Sequence, residues 1–221
     1  MPKKVEKKKR SSEWHRFMYE FFERSAYEQW HDGVNPNVVL DLVGEEREEA
    51  ENMLIESVQK GGMWPTDGLA ALKSKKALPI LKKKLNNAPP PTNVRIAEAI
   101  EEIEGSGEYV SVIIDELLTG GSPYDRLEAA MVLRKFPTQE AIIALFKGVL
   151  DPDYLVRNHS SESLLAIHGF EPEISKHREI FKLICADEER SGGQNLVELY
   201  EKAAEMLKKL FKNKKRTKKS T

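Results

Sequence analysis

The chain has 221 residues, 40% hydrophobic and 32% charged, with a formal net charge of −1. Its one cysteine, Cys185, excludes an internal disulfide and any multi-cysteine zinc site. No apolar run approaches the roughly 18 residues that cross a bilayer, and the basic opening is not followed by the continuous apolar stretch of a signal peptide. The chain is therefore expected to be a monomer of the cytoplasm, or of the nucleus in a eukaryote, with no membrane partner. The small net charge conceals a segregation. Residues 1–10 carry +5 and residues 208–221 carry +8, which leaves −14 on the body between them.

Apolar residues recur at three and four rather than at two, so the class is all-α. Ser11 or Ser12 can cap a first helix whose stripe is Trp14, Phe17, Met18, Phe21 and Phe22, predicted to run to about Asp32-Gly33. Together with Tyr27 and Trp30 these aromatics read as the buried face of an N-terminal cap over residues 11–60, or alternatively as a docking face. After Asn35-Pro36 a second helix is predicted from about Glu45 to Gln59, buried through Ala50, Met53, Leu54 and Val58. Gly61-Gly62 and Pro65 then punctuate the chain.

From there the sequence repeats. Arg95, Arg126 and Arg157 fall 31 residues apart, and four residues after each stands a small one: Ala99, Ala130, Ser161. Apolar rows recur at 32: Leu78, Val110, Ile142, Ile174; Leu81, Ile113, Leu145; and Leu85, Leu117, Val149, Phe181, with His177 the single polar member. Breakers separate the helical stretches, among them Pro89-Pro90-Pro91, Gly120-Gly121-Ser122-Pro123 and Asp151-Pro152-Asp153. Helix pairs of this length bury their apolar faces only by stacking on neighbours. A last helix within residues 187–211, marked by Leu196, Leu199, Tyr200, Ala203, Leu207 and Leu210, closes the stack, and residues 1–10 and 212–221 read as basic disordered tails.

The stretch Asp151 to Arg157, running on through Ser160-Ser161, Leu164-Leu165 and Ile167-His168-Gly169, resembles the HEAT-like repeat signature of the PBS-lyase type. Ser122 to Arg126 with Ala129-Ala130 and Leu133 is a second copy, Asn93-Val94-Arg95 with Ala97 and Ala99 a looser third, and a degenerate copy begins near Trp64. The resemblance covers roughly residues 63–186, within a repeat region of 61–186. It implies a right-handed α-α superhelical solenoid whose second helices line a concave surface that binds protein.

Placing the second helices at about 100° per residue sets position 83 opposite the apolar rows. Steps of 32 then give Lys83, Asp115, Lys147 and Glu179, flanked by Glu108, Ser111, Glu140 and Ile143. These residues read either as a partner-binding stripe or as a ladder of surface ion pairs. The repeated arginines are expected to bond carbonyls or acids of adjacent turns, such as Asp125 or Asp153. Histidines show no ligand spacing, none is followed by Glu, and no triad or phosphate loop stands out, so no metal, cofactor or catalytic residue is assigned. The first reading is a non-catalytic scaffold or adaptor. Alternatives are a nucleic-acid- or ribosome-associated protein whose tail residues Lys212, Lys214, Lys215, Arg216, Lys218 and Lys219 contact phosphate, or a lyase-like enzyme accessory.

Overall fold

The structure, a computed structural model, describes residues 9–189 and 191–217, the last three by backbone alone. Among the described residues all regular structure is helical. The chain divides into two compact units, residues 1–88 with 99–105 and residues 89–98 with 106–221, each described separately.

In the first unit, α1 (Ser12–Met18) starts at Ser11, whose hydroxyl accepts the Trp14 amide. It continues as a wider π turn over Tyr19–Glu23. The long first helix expected from the aromatic stripe stops there, because Arg24 and Ser25 turn extended and Ser25 opens α2 (Ala26–Asp32) with a capping box to Glu28. The aromatics divide at the same point. Trp14, Phe17 and Phe21 are buried and in mutual ring contact, whereas Tyr27 and Trp30 are exposed on a helix that buries no residue. What holds α2 is hydrogen bonding: the Arg24 guanidinium donates to the Glu28 and Gly33 carbonyls and to the carboxylates of Glu20 and Asp32. A 3-10 turn (Pro36–Asp41) leads to α3 (Gly44–Gln59), which buries Ala50, Leu54 and Val58 but leaves Met53 half-buried. Arg10 belongs to this unit rather than to a free tail, pairing with Glu49 at 2.6 Å and lying 4.0 Å over the Trp14 ring. The helices α4 (Pro65–Ala71) and α5 (Leu78–Leu85) pack on α3. The division of the chain passes through α6 (Thr92–Glu104).

The second unit contains α7 (Val110–Thr119), α8 (Pro123–Val132), α9 (Gln139–Gly148), α10 (Tyr154–Ile167), α11 (Arg178–Ile184) and α12 (Leu196–Thr217). Ser122, Thr138 and Asp153 cap α8, α9 and α10, each side chain accepting an amide of the first turn. Packing follows the period: α8 lies against α10, α7 against α9, and α8 and α10 against the helices that precede them, α7 and α9. The repeated rows supply the core here, since Val110, Ile113, Leu117, Leu145, Val149 and Ile174 are all buried.

Gly148 sits where α9 meets α10. A Cβ there would fall 3.0 Å from the Cβ of Ser160 and inside contact distance of its hydroxyl, so only glycine permits the approach. The Ser160 hydroxyl itself is buried without a hydrogen-bond partner. Ser160→Ala is therefore expected to raise the unfolding free energy by about 1 kcal/mol, the low end of the cost of a buried unpaired hydroxyl. Gly148→Ala is expected to lower it by about 1–2 kcal/mol through overpacking. Urea denaturation should find the double variant more stable than the two effects summed, because removing the Ser160 hydroxyl relieves part of the clash at residue 148.

Candidate functional site

The spaced arginines tie neighbouring segments of the second unit together. Arg126 grips Asp151 with two bonds, Nε to Oδ2 at 2.7 Å and Nη2 to Oδ1 at 3.0 Å, and donates to the Gly120 carbonyl. Its carboxylate partner and the bonds to it push its pKa up. Arg95 pairs with Glu128 at 2.7 Å. Arg157 is almost fully buried, donates to the carbonyls of Asp151, Pro152, Ile184 and Ala186, and lies 3.9 Å over the Tyr200 ring. The expected role as turn-binding arginines is thus present, but the acids are Asp151 and Glu128 rather than Asp125 or Asp153. Asp153 is already committed, since its carboxylate caps α10.

All eight residues read as a partner-binding stripe are exposed: Lys83 in the first unit, and Glu108, Ser111, Asp115, Glu140, Ile143, Lys147 and Glu179 in the second. No ion pair among the described residues joins Asp115, Lys147 and Glu179. Glu179 pairs along its own helix with Lys182, and the Ser111 hydroxyl donates to the Glu108 carbonyl. The described side chains of this row thus form no inter-repeat ladder in the second unit, and Glu179 pairs within its own helix instead.

Two of these residues, Ile143 and Lys147, border a groove. It has a volume of about 510 Å3 and runs between α9 with the turn after it, which contribute Ile143, Phe146, Lys147 and Leu150, and α12, which contributes Glu201, Ala204, Glu205 and Lys208. A smaller recess of about 250 Å3 shares Phe146 and Lys208 and adds His168, Phe211 and Lys212. Both walls are stripes at helical spacing, three and four residues apart. Ile143 is 49% exposed and Leu150 37%, so this wall presents branched apolar side chains to water.

The floor of the recess is well anchored. Phe211 is buried with His168 stacked flat on it, ring centroids 3.8 Å apart, and meets Phe146 and Phe170 at 6.4 and 5.8 Å. His168 is held by a bond between Nδ1 and the Leu164 carbonyl. On the rim Lys208 pairs with Glu205 at 2.7 Å, and that bond holds the Glu205 carboxyl below its usual range. A carboxylate so stabilised is a poor general base near neutral pH. The groove therefore offers apolar area framed by charge.

The basic run enters this site differently from the expectation. The helix α12 continues through Thr217, past the end at 211 expected from the sequence. Lys212 lines the recess, while the Lys214 ammonium bonds the Gly169 carbonyl and lies 3.9 Å over the Phe170 ring. The side chains of Lys215 and Arg216, and Lys218 and Lys219 altogether, lie outside the described residues. Phe146, Leu150, Ala204 and Phe211 were missed as site residues. The signal for Leu150 was present, since it stands 32 residues after the exposed Leu118 and seven after Ile143.

Among the described residues no group of three His, Cys, Asp or Glu could hold a metal ion. No described helix is long and apolar enough to cross a membrane. Comparison of the chain with protein-family models, curated proteins and solved structures finds no match in any of the three.

Proposed function

We propose that this chain is a HEAT-like helical-repeat protein that acts without catalysing a reaction, binding another protein on the outward face of its second helices. The pairing of α8 with α10 and of α7 with α9 supports the repeat reading, because neighbours one period apart pack in the same way. The observation that carries the binding reading is the pair of exposed apolar residues Ile143 and Leu150, which with the half-buried Phe146 form one wall of the groove beside α12. Exposed apolar side chains framed by charged ones mark interaction sites.

The test is retention of a partner from native lysate at physiological salt, followed by rebinding of the purified partner. Ile143→Glu with Leu150→Glu is expected to weaken rebinding at least tenfold, since buried anchor residues commonly contribute about 2 kcal/mol or more. Both sites are surface positions, so the unfolding midpoint should stay put. Equal retention by the variant and the parent chain would refute the reading.

A further inference from the structure

We infer that the groove between α9 and α12 receives an amphipathic helix of two to three turns from the partner, with carboxylates flanking its apolar stripe. This rests on the protein-binding reading above. The α9 wall spans seven residue steps and the α12 wall, from Glu201 to Lys212, eleven. At 1.5 Å per residue these are roughly 10 and 16 Å long. The α12 wall is helical throughout and the α9 wall is helical as far as Gly148, so both present mainly side chains. An extended peptide in such a trough would leave its own amides and carbonyls unpaired against apolar groups, whereas a helix satisfies them internally. Anchors at i, i+3, i+4 and i+7 then match the spacing of the walls.

Charge selects among helices. Glu205 is engaged by Lys208. Of the remaining lining charges, Lys147 stands on the α9 wall and Lys212 on the α12 wall, against the single carboxylate Glu201. Among the described residues no ion pair holds Lys147 or Lys212, and the exposed Lys209 follows Lys208 on α12. Two lysines on opposite walls favour carboxylates on both flanks of the incoming helix.

The experiment uses the full chain and fluorescence anisotropy with three probes: a 14-residue stapled helix with Leu at i, i+3, i+7 and i+10 and Glu flanks, the same helix with Lys flanks, and a 14-nucleotide single-stranded RNA. The Glu-flanked helix is expected to bind at least tenfold more tightly than the Lys-flanked one. Lys147→Glu with Lys212→Glu is expected to lower its affinity about tenfold, the factor reached when two surface attractions become repulsions. Ile143→Glu should abolish binding, and Leu155→Glu on α10, which does not line the groove, should leave it unchanged. Equal or tighter binding of the Lys-flanked helix, displacement of the Glu-flanked helix by RNA, or an unaltered preference in the double variant would overturn the inference. Absence of binding by both helices would overturn it too, while loss of the lysate partner in Ile143→Glu with Leu150→Glu would leave the broader reading standing.

Discussion

Arg157→Ala lowers the unfolding free energy by about 3–5 kcal/mol, the range expected when one member of a buried charged network is removed. Arg157 is 2% exposed, and burial pushes its pKa down from the ordinary arginine value. It is held there by four carbonyls, from Asp151, Pro152, Ile184 and Ala186, and by the face of Tyr200. Those carbonyls close the turn before α10 and the C-terminal end of α11, so truncation removes donors from two segments at once. Tyr200 shares the load, its hydroxyl donating to the Ala186 carbonyl at 2.8 Å. Arg157→Lys should retain less than half of the contribution, because an ammonium lacks the planar fork that reaches several carbonyls. Urea denaturation followed by circular dichroism measures both. A loss below about 1 kcal/mol for the alanine variant would mean that the network contributes little beyond its desolvation cost.

Phe211→Ala is the second large effect, with an expected loss of about 3 kcal/mol for a buried phenyl ring. The ring joins α12 to three other segments through His168, Phe146 and Phe170, and its neighbour Lys214 docks on the same loop. Its removal should release the C-terminal half of α12 before the rest of the unit unfolds. Hydrogen exchange then shows faster exchange at residues 207–214 at unchanged protection of α8 and α10. Because α12 is one wall of the groove, partner affinity should fall with it, whereas Ser160→Ala, at the α9–α10 crossing, should leave affinity unchanged. Uniform loss of protection across the unit would instead make α12 part of its cooperative core.

These two residues also mark how far the sequence alone reaches. Arg157 was visible as the third member of a 31-residue series, and the apolar rows at 32 named Val110, Ile113 and Leu117 of α7 and Leu145 of α9 as buried, because a repeated unit imposes the same burial at each step. Carboxylate partners were not visible. Asp151, Asp153 and Asp125 have the same chemistry, and only the cap geometry of α10 decides that Asp153 is occupied and Asp151 is free to meet Arg126. The same limit applies at α2. Tyr27 and Trp30 belong to the same aromatic cluster as Phe17 and Phe21, yet a serine capping box starts a new helix between them and leaves the last two outward. The groove was half legible. Ile143 and Lys147 follow from projecting one helix, but the second wall comes from α12, more than fifty residues away in sequence, and depends on where Phe211 docks.

The central claim is that a protein partner sits against α9 and α12. Hydrogen–deuterium exchange of the chain with its purified partner, compared with the chain alone, tests it most directly. Side-chain docking in the groove predicts added protection confined to residues 139–150 and 196–214. Protection concentrated instead on residues 26–32, where Tyr27 and Trp30 stand exposed, with none at α9, would contradict it.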